Sequence, residues 1–567
     1  MPRPGPWRPR PQVVPPRTDR PSRFPGRARL PIQAHHSPPD ARTMHVFELL
    51  LVLLAACVAL AVLANRLNLP VAVTLVLGGM GLAFVPGLPP LVLDPELVLA
   101  LFLPPLLQVS AYRTDWPAFR NHLRPILLLA IGGVFFTAGL VAVAAKLFVP
   151  SLPWWAAITL GAIVAPPDAV AAASVLSRFK LPKRIVTVLE GESLINDASS
   201  LVLYKFAVAA VGVSTVSYGE GALQFFGVAI GGALVGWLVG RVAMWIFTHL
   251  EDTLLDLTIS ILAGFAAYLA AEAIHASGVL AAVACGLVLG RQQHAEFTAR
   301  TRIELVAVWG FLEFALTSLV FILIGLQLRG IAGRLVDENL HQLAWLALAM
   351  SVTLIVSRFA WVFASAWVPR LLSRELRERD PTPWRHATVV SWTGMRGVVS
   401  LAAALALPEV FPGRDIILFL AFCSIFVTLV IQGTTLGWVV RRLGVTEEVT
   451  ALPEPETAQA RAEITTAALE AVREHLDGSE ATEHTEAATE LVQEYEVRAE
   501  RASIEGQDPD TKSSQLEAQQ RLRLVAITAA REKLAERSET MDAEAHRALG
   551  EELDLEEQQI RRALEGT

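Results

Sequence analysis

The sequence predicts an all-α polytopic membrane protein of about thirteen transmembrane helices. They form two inverted six-helix repeats with crossed discontinuous helices, followed by a helical cytoplasmic tail. Three observations predict this. Hydrophobic residues make up 53% of the 567 residues and charged residues only 18%, with a mean hydropathy of +0.45, far from soluble averages. Apolar stretches of spanning length recur from Val46 to Val440. Two of them are interrupted, one by Pro166-Pro167 and one by Gly394 and Gly397.

The apolar segments, in order, are Val46–Leu63, Val71–Val85, Leu97–Ala111, Ile126–Ala145, Trp155–Leu176, Glu192–Val213 and Leu223–Val239. Then follow Leu257–Ile274, Val279–Leu289, Leu305–Leu326, Leu343–Phe363, Ala387–Leu407 and Ile416–Val440. A straight span needs ~20 residues, so the second, third and ninth are short.

Loop charges orient the segments. One set of alternate loops holds 19 basic residues, among them Arg66, Arg113, Arg124, Arg184, Arg291, Arg370 and Arg441. The opposite loops hold 4, namely Lys146, Arg329, Arg334 and Arg414. The positive-inside rule places the rich set in the cytoplasm, the start of the first span outside and the C-terminus inside.

Residues 1–43 carry nine arginines and many prolines without apolar periodicity, and read as a disordered basic extension. They contain no continuous h-region of a signal peptide. Translation starting naturally at Met44 is the preferred expectation, which N-terminal sequencing would test. Residues 44–443 form the membrane domain and 444–567 an acidic helical tail. Beyond Thr446 there are 30 acidic and 13 basic residues, a balance that suits a solvated or regulatory element. Cys57, Cys285 and Cys423 each sit in an apolar run, as small core residues rather than a disulfide framework or thiolate site. The sequence calls for no cofactor and no nucleic-acid partner; its surroundings are membrane lipid.

The chemistry lies within the spans. An ionisable group there costs about 2.5–3.5 kcal/mol on insertion scales unless it faces a partner or a wet cavity. Asp168, Glu192 and Asp197 therefore mark an ion or proton pathway. Pro166 and Pro167 donate no N–H, which frees carbonyls near Ala162 and Ile163. Such carbonyls are tolerated only where they line a cavity or meet protein, and they suit a hard monovalent cation. Asp168 follows at the start of the second half-helix, against favourable N–H dipoles.

In the sixth segment Ser193, Asp197 and Ser200 share one helical face, and Glu192 and Asn196 form an i, i+4 pair beside it. Burial favours the neutral carboxyl and a bound cation favours the carboxylate, so proton and cation would compete for Asp197. In the twelfth segment Arg396, between two glycines, needs a carboxylate or freed carbonyls as company, and Glu192 is the expected partner. The broken segments are fifth and twelfth, at matching positions of segments one to six and eight to thirteen, the arrangement that marks the site of secondary transporters. Of the remaining charges, Lys205 pairs with an acid or snorkels. Glu313 and Arg358 read as structural or near-interface groups, and Glu272 and His275 as a satisfied pair rather than a metal site.

Ala165-Pro166-Pro167-Asp168, Leu189-Glu190-Gly191-Glu192-Ser193-Leu194-Ile195-Asn196-Asp197 and Trp392-Thr393-Gly394-Met395-Arg396-Gly397-Val398-Val399-Ser400-Leu401 resemble bacterial Na+/H+ exchangers of the monovalent cation:proton antiporter-1 family (NhaP-like). The resemblance runs from about Met44 to Leu443. It touches the tail at Glu551-Glu552-Leu553-Asp554-Leu555-Glu556-Glu557.

It implies a multi-pass homodimer of the cell (inner) membrane, not an enzyme, that exchanges Na+, with Li+ or K+ as alternatives, for H+ in pH and sodium homeostasis. A core domain rocks against a dimerisation domain. By position, Asp197, Ser193, Asp168 and Pro167 would form the cation and proton site, with the monovalent cation at Asp197 and Asp168. Asn196, Glu192 and Arg396 would form the supporting polar cluster. An Asn-Asp pair implies electroneutral exchange. Three departures leave Na+ against K+ open: Pro167 stands where the family often has Thr, Val109 beside Gln108 where an acid is common, and Thr317 where Asn is frequent. An aspartyl intramembrane protease is the remote alternative, but its Tyr-Asp and Gly-x-Gly-Asp signatures do not occur.

Overall fold

The computed structural model describes residues 41–86, 95–176, 181–211, 218–250, 252–297, 299–334, 340–372 and 383–445 almost without gaps. In the tail it describes scattered residues, including 522–531 and 555–561. Expectations for residues 1–40, for most of the tail, and for the basic loop residues Arg178, Lys180, Arg374, Arg377 and Arg379 fall outside them. The chain divides into two compact units. Met1–Ala55 is described only as the first part of a helix; Ala56–Thr567 contains everything discussed below.

The described residues are helical throughout, joined by turns. The helices are α1 (Ala41–Leu67), α2 (Val71–Ala83), α3 (Pro95–Arg113), α4 (Trp116–Asn121) and α5 (Leu123–Leu127). A π-helical turn, Leu128–Gly133, continues α5 into α6 (Val134–Phe148). Next come α7 (Trp154–Val164), α8 (Ala169–Leu176), α9 (Lys183–Ala210), α10 (Tyr218–Phe247), α11 (Thr253–Ala273) and α12 (Gly278–Glu296). The series continues with α13 (Ala299–Leu326), α14 (Leu328–Arg334), α15 (Leu340–Leu372), α16 (Trp384–Trp392) and α17 (Val398–Leu405). Finally α18 (Arg414–Val427) passes through a second π turn, Thr428–Gln432, into α19 (Gly433–Leu443).

Over its described residues, every apolar segment read from the sequence lies mainly on one of these helices or on a consecutive pair. Six stretches among the described residues are long and apolar enough to cross a membrane by length and composition: Leu123–Phe148, Leu223–Phe247, Thr253–Ala273, Thr301–Ile331, His341–Val368 and Arg414–Leu443. The others are short, interrupted or charged. α9 has the length, at 28 residues, but it carries Glu190, Glu192 and Asp197.

Helix contacts follow membrane rules, with small residues where backbones meet. Gly79 of α2 packs on the Ile322 carbonyl of α13, and Gly325 of α13 packs on the Val76 carbonyl in return. A side chain at either position would force the two helices apart. Around the centre, α7 packs between α6 and α9, while α17 reaches α3, α7, α9 and α18. Ala156, Ala157, Leu160, Leu194, Ala198, Ala403 and Ala404 are buried together in this core.

Candidate functional site: two broken helices against α9

The first break lies between α7 and α8, where the proline pair ends the helix at Val164 and Asp168 starts the next. The Asp168 Oδ1 accepts from the backbone N–H of Val170 at 2.9 Å and of Ala171 at 3.4 Å, which is an N-cap. The second break, Thr393–Gly397, separates α16 from α17. The two meet directly: the Asp168 N–H donates to the Met395 carbonyl at 2.7 Å. Gly397 makes that approach feasible, because a Cβ there would run into the Asp168 carboxylate.

α9 runs past the junction and satisfies its loose ends. Ser200 donates to the Ala162 carbonyl at 2.8 Å, and Asn196 Nδ2 to the Pro167 carbonyl at 3.0 Å. Ser199 reaches the Ala130 carbonyl in the first π turn at 2.6 Å. The carbonyl that Pro166 frees is therefore taken by Ser200, and does not stand open to a cation. Ser200 shares the helical face of Asp197, as its spacing requires, yet its hydroxyl is spent on that structural bond.

Between α3, α9, α13 and the two breaks lies a cavity of about 60 Å³, lined in part by Asp168, Ser193, Asp197, Thr317 and Ser400. That is room for a few water-sized ligands, since one needs about 10–15 Å³ on this measure. Asp197 is 8% exposed, towards the cavity. Three polar atoms at its wall are buried without a hydrogen-bond partner: Asp168 Oδ2, Thr317 Oγ1 and Ser400 Oγ. The charged and hydroxyl groups around the space are all oxygens, the donor set of a hard cation. Pro166 lines this cavity; Pro167 instead faces the clefts of Glu192, Asn196 and Arg358. Ser110, Thr317 and Ser400 are the lining hydroxyls that sequence spacing did not single out as ligands. Ser400, three residues after Gly397, follows the second break as Ala171 follows Asp168 at the first.

The expected pairing of Glu192 with Arg396 is not what the fold adopts. Both oxygens of Glu192 are held by Arg358 of α15, at 2.6 and 2.9 Å, with both side chains buried. Arg358 Nε also donates to the Val390 carbonyl at 3.3 Å. Arg396 is 1% exposed and finds its company in freed backbone: its Nη1 donates to the Gly394 carbonyl at 2.9 Å. Its own N–H is received by Thr428 in the second π turn at 3.1 Å. The physical reason is reach. Arg358 comes from a neighbouring helix across the packed Gly394 and meets the carboxylate as a two-nitrogen fork, while Arg396 folds back on its own broken turn.

Away from the junction, Lys205 pairs with Glu272 at 3.0 Å and Arg113 with Glu313 at 2.5 Å.

The transmembrane sodium/hydrogen exchanger profile matches residues 52–442. An uncharacterized Na(+)/H(+) exchanger of Mycobacterium tuberculosis is 35% identical over 82% of this chain and 87% of its own length. A sodium, potassium, lithium and rubidium/H(+) antiporter of Bacillus pumilus is 33% identical over 69% of this chain and 61% of its own. In fold, the chain is similar to the sodium proton antiporter MjNhaP1 of Methanocaldococcus jannaschii, with a TM-score of 0.55 at 18% identity. That match covers 71% of this chain and 99% of the other.

Proposed function

Because the chain belongs to the sodium/hydrogen exchanger family, we propose that it is a multi-pass membrane antiporter in which a monovalent cation and a proton compete for Asp197. The observation that carries this is the Asp197 carboxylate facing a largely apolar cavity whose polar side chains are all carboxylates and hydroxyls, at the contact of two broken helices. With a cation present, Asp197 and Asp168 supply charge, and Ser193, Thr317 and Ser400 supply neutral oxygens. When the cation leaves, a proton on Asp197 removes the cost of a bare carboxylate in a dry span. A site that holds one or the other, never neither, couples the two fluxes.

Na+ is the proposed cargo, with Li+ accepted, and the Asn196-Asp197 pair, through the family resemblance, supports electroneutral one-for-one exchange. K+/H+ exchange is the second reading. It is favoured by Thr317, which brings a hydroxyl where an amide oxygen would be the stronger ligand, and by the printed cation range of the Bacillus pumilus relative. Thirteen spans over residues 44–443, inverted repeats, a cytoplasmic tail and a homodimer in the cell membrane complete the proposal. It rests on the arginine asymmetry, the paired breaks and the family resemblance.

The test is Na+-, Li+- or K+-driven dissipation of a preset ΔpH in everted vesicles, with the membrane potential clamped and free. Asp197→Asn should abolish it for every cation while the protein still reaches the membrane. Full activity in that variant would refute the site, and a rate that follows the potential would refute electroneutrality.

A further inference from the structure

A second cavity, of about 100 Å³, shares no lining residue with that of Asp197. It is walled by residues 124–129 of α5 and the first π turn, the first turns of α9, the end of α15 and the start of α16. Its described lining carries the guanidiniums of Arg124, Arg184 and Arg370 beside the imidazole of His386, and no acidic residue is among the described lining residues. Burial and the nearby Arg184 charge both hold the His386 ring towards its neutral form, so the positive charge of the cavity is that of the arginines. Arg184 and Arg370 each also have an interaction within the protein. The floor is apolar, with Leu129, Val188, Val362 and Val390 all buried.

The arginine asymmetry puts Arg124, Arg184 and Arg370 at the same face of the membrane. A guanidinium recognises phosphate as a fork of parallel donors, and basic pockets between helices on the cytoplasmic side suit anionic headgroups. A free phosphate would satisfy the arginines but leave the floor bare. A molecule with a phosphodiester at one end and a hydrocarbon chain at the other matches both parts.

We propose that this cavity binds an anionic phospholipid from the arginine-rich face, with its phosphate between Arg124, Arg184 and Arg370 and its chain over Leu129 and Val362. Val188 and Val362 stand one turn from Glu192 and Arg358 on the same two helices. The lipid would therefore pin α9 and α15 at the end below their buried ion pair, separately from cation binding.

Native mass spectrometry of the full chain from mixed micelles of phosphatidylglycerol and phosphatidylcholine tests this. The wild type should retain phosphatidylglycerol selectively. The combined R124Q, R184Q and R370Q variant should lose it by about a hundredfold, as expected for three lost phosphate contacts. The matching Arg→Lys variant, which keeps the charge, should retain most of the binding and guards against misfolding of the glutamine variant. R66Q with R241Q, remote from the cavity, should change nothing. Equal retention of both lipids, or of phosphatidylglycerol in the glutamine variant, overturns the proposal. So does displacement of the lipid by inorganic phosphate, which would make this a free-phosphate site, or by a peptide copy of the acidic tail. None of these outcomes bears on Asp197, because cation exchange is not the readout.

Discussion

Glu192 and Arg358 form a buried, two-nitrogen ion pair that ties α9 to α15, at 2.6 and 2.9 Å. Side-chain exposure is 2% for the carboxylate and 8% for the guanidinium, so solvent screens it little. Removing one partner of such a pair leaves the other charged and buried, at a cost of about 3–5 kcal/mol. Arg358→Ala and Glu192→Ala should each lower the thermal unfolding temperature markedly in detergent. Replacing both by apolar residues of similar volume, Glu192→Leu with Arg358→Met, should recover most of the loss. If the double variant is as unstable as the sum of the singles, the two residues are not coupled.

Ser400 offers a buried, unpartnered hydroxyl to the cavity that holds Asp197. If that oxygen meets the cation, Ser400→Ala removes one neutral ligand and leaves charge and fold in place. The loss of a hydrogen-bond-scale contact of about 1–2 kcal/mol should raise the KM for Na+ roughly 5–30-fold. The maximal rate should change little. An unchanged KM for Na+, Li+ and K+ would remove Ser400 from the site.

Much of this was legible in the sequence because membrane physics is restrictive. A buried carboxylate, a proline pair and a glycine pair are each expensive in a span, so Asp168, Asp197 and Arg396 stand out without any coordinates. Partner choice was not legible. Glu192 had two buried arginines to choose from, and the outcome depended on how α15 lies across Gly394, a tertiary fact with no period in the sequence. The π turns at Leu128–Gly133 and Thr428–Gln432 were hidden for a related reason. Their apolar residues continue the pattern of the flanking spans, and the bonds from Ser199, from Trp361 and from the Arg396 backbone N–H reveal their use.

Gly397 is where the backbone of one break touches the carboxylate of the other. A methyl group there displaces Asp168, so Gly397→Ala should abolish cation-dependent exchange. Gly139, on the exposed face of α6, has nothing within 4 Å of an added Cβ. Gly139→Ala should instead be neutral or stabilising by about 0.5–1 kcal/mol through helix propensity. Measuring vesicle exchange and thermal unfolding for the two variants side by side separates close approach from a general intolerance of alanine. Normal exchange in Gly397→Ala would show that Asp168 can move without consequence.

Ser200 discriminates between a ligand and a strut. Its position one turn beyond Asp197 suits a cation ligand, but its hydroxyl is committed to the Ala162 carbonyl that Pro166 leaves without a helical donor. Ser200→Ala strands a buried acceptor, at a cost of about 1–3 kcal/mol, and opens no new space towards Asp197. The expected result is a lower unfolding temperature with the KM for Na+ unchanged, the reverse of Ser400→Ala. Ser200→Thr, which keeps the hydroxyl, should restore stability if the added methyl fits beside α7. A raised KM in Ser200→Ala at full stability would mean that the hydroxyl turns to the cation during transport. The broken helix would then have to find another donor for Ala162.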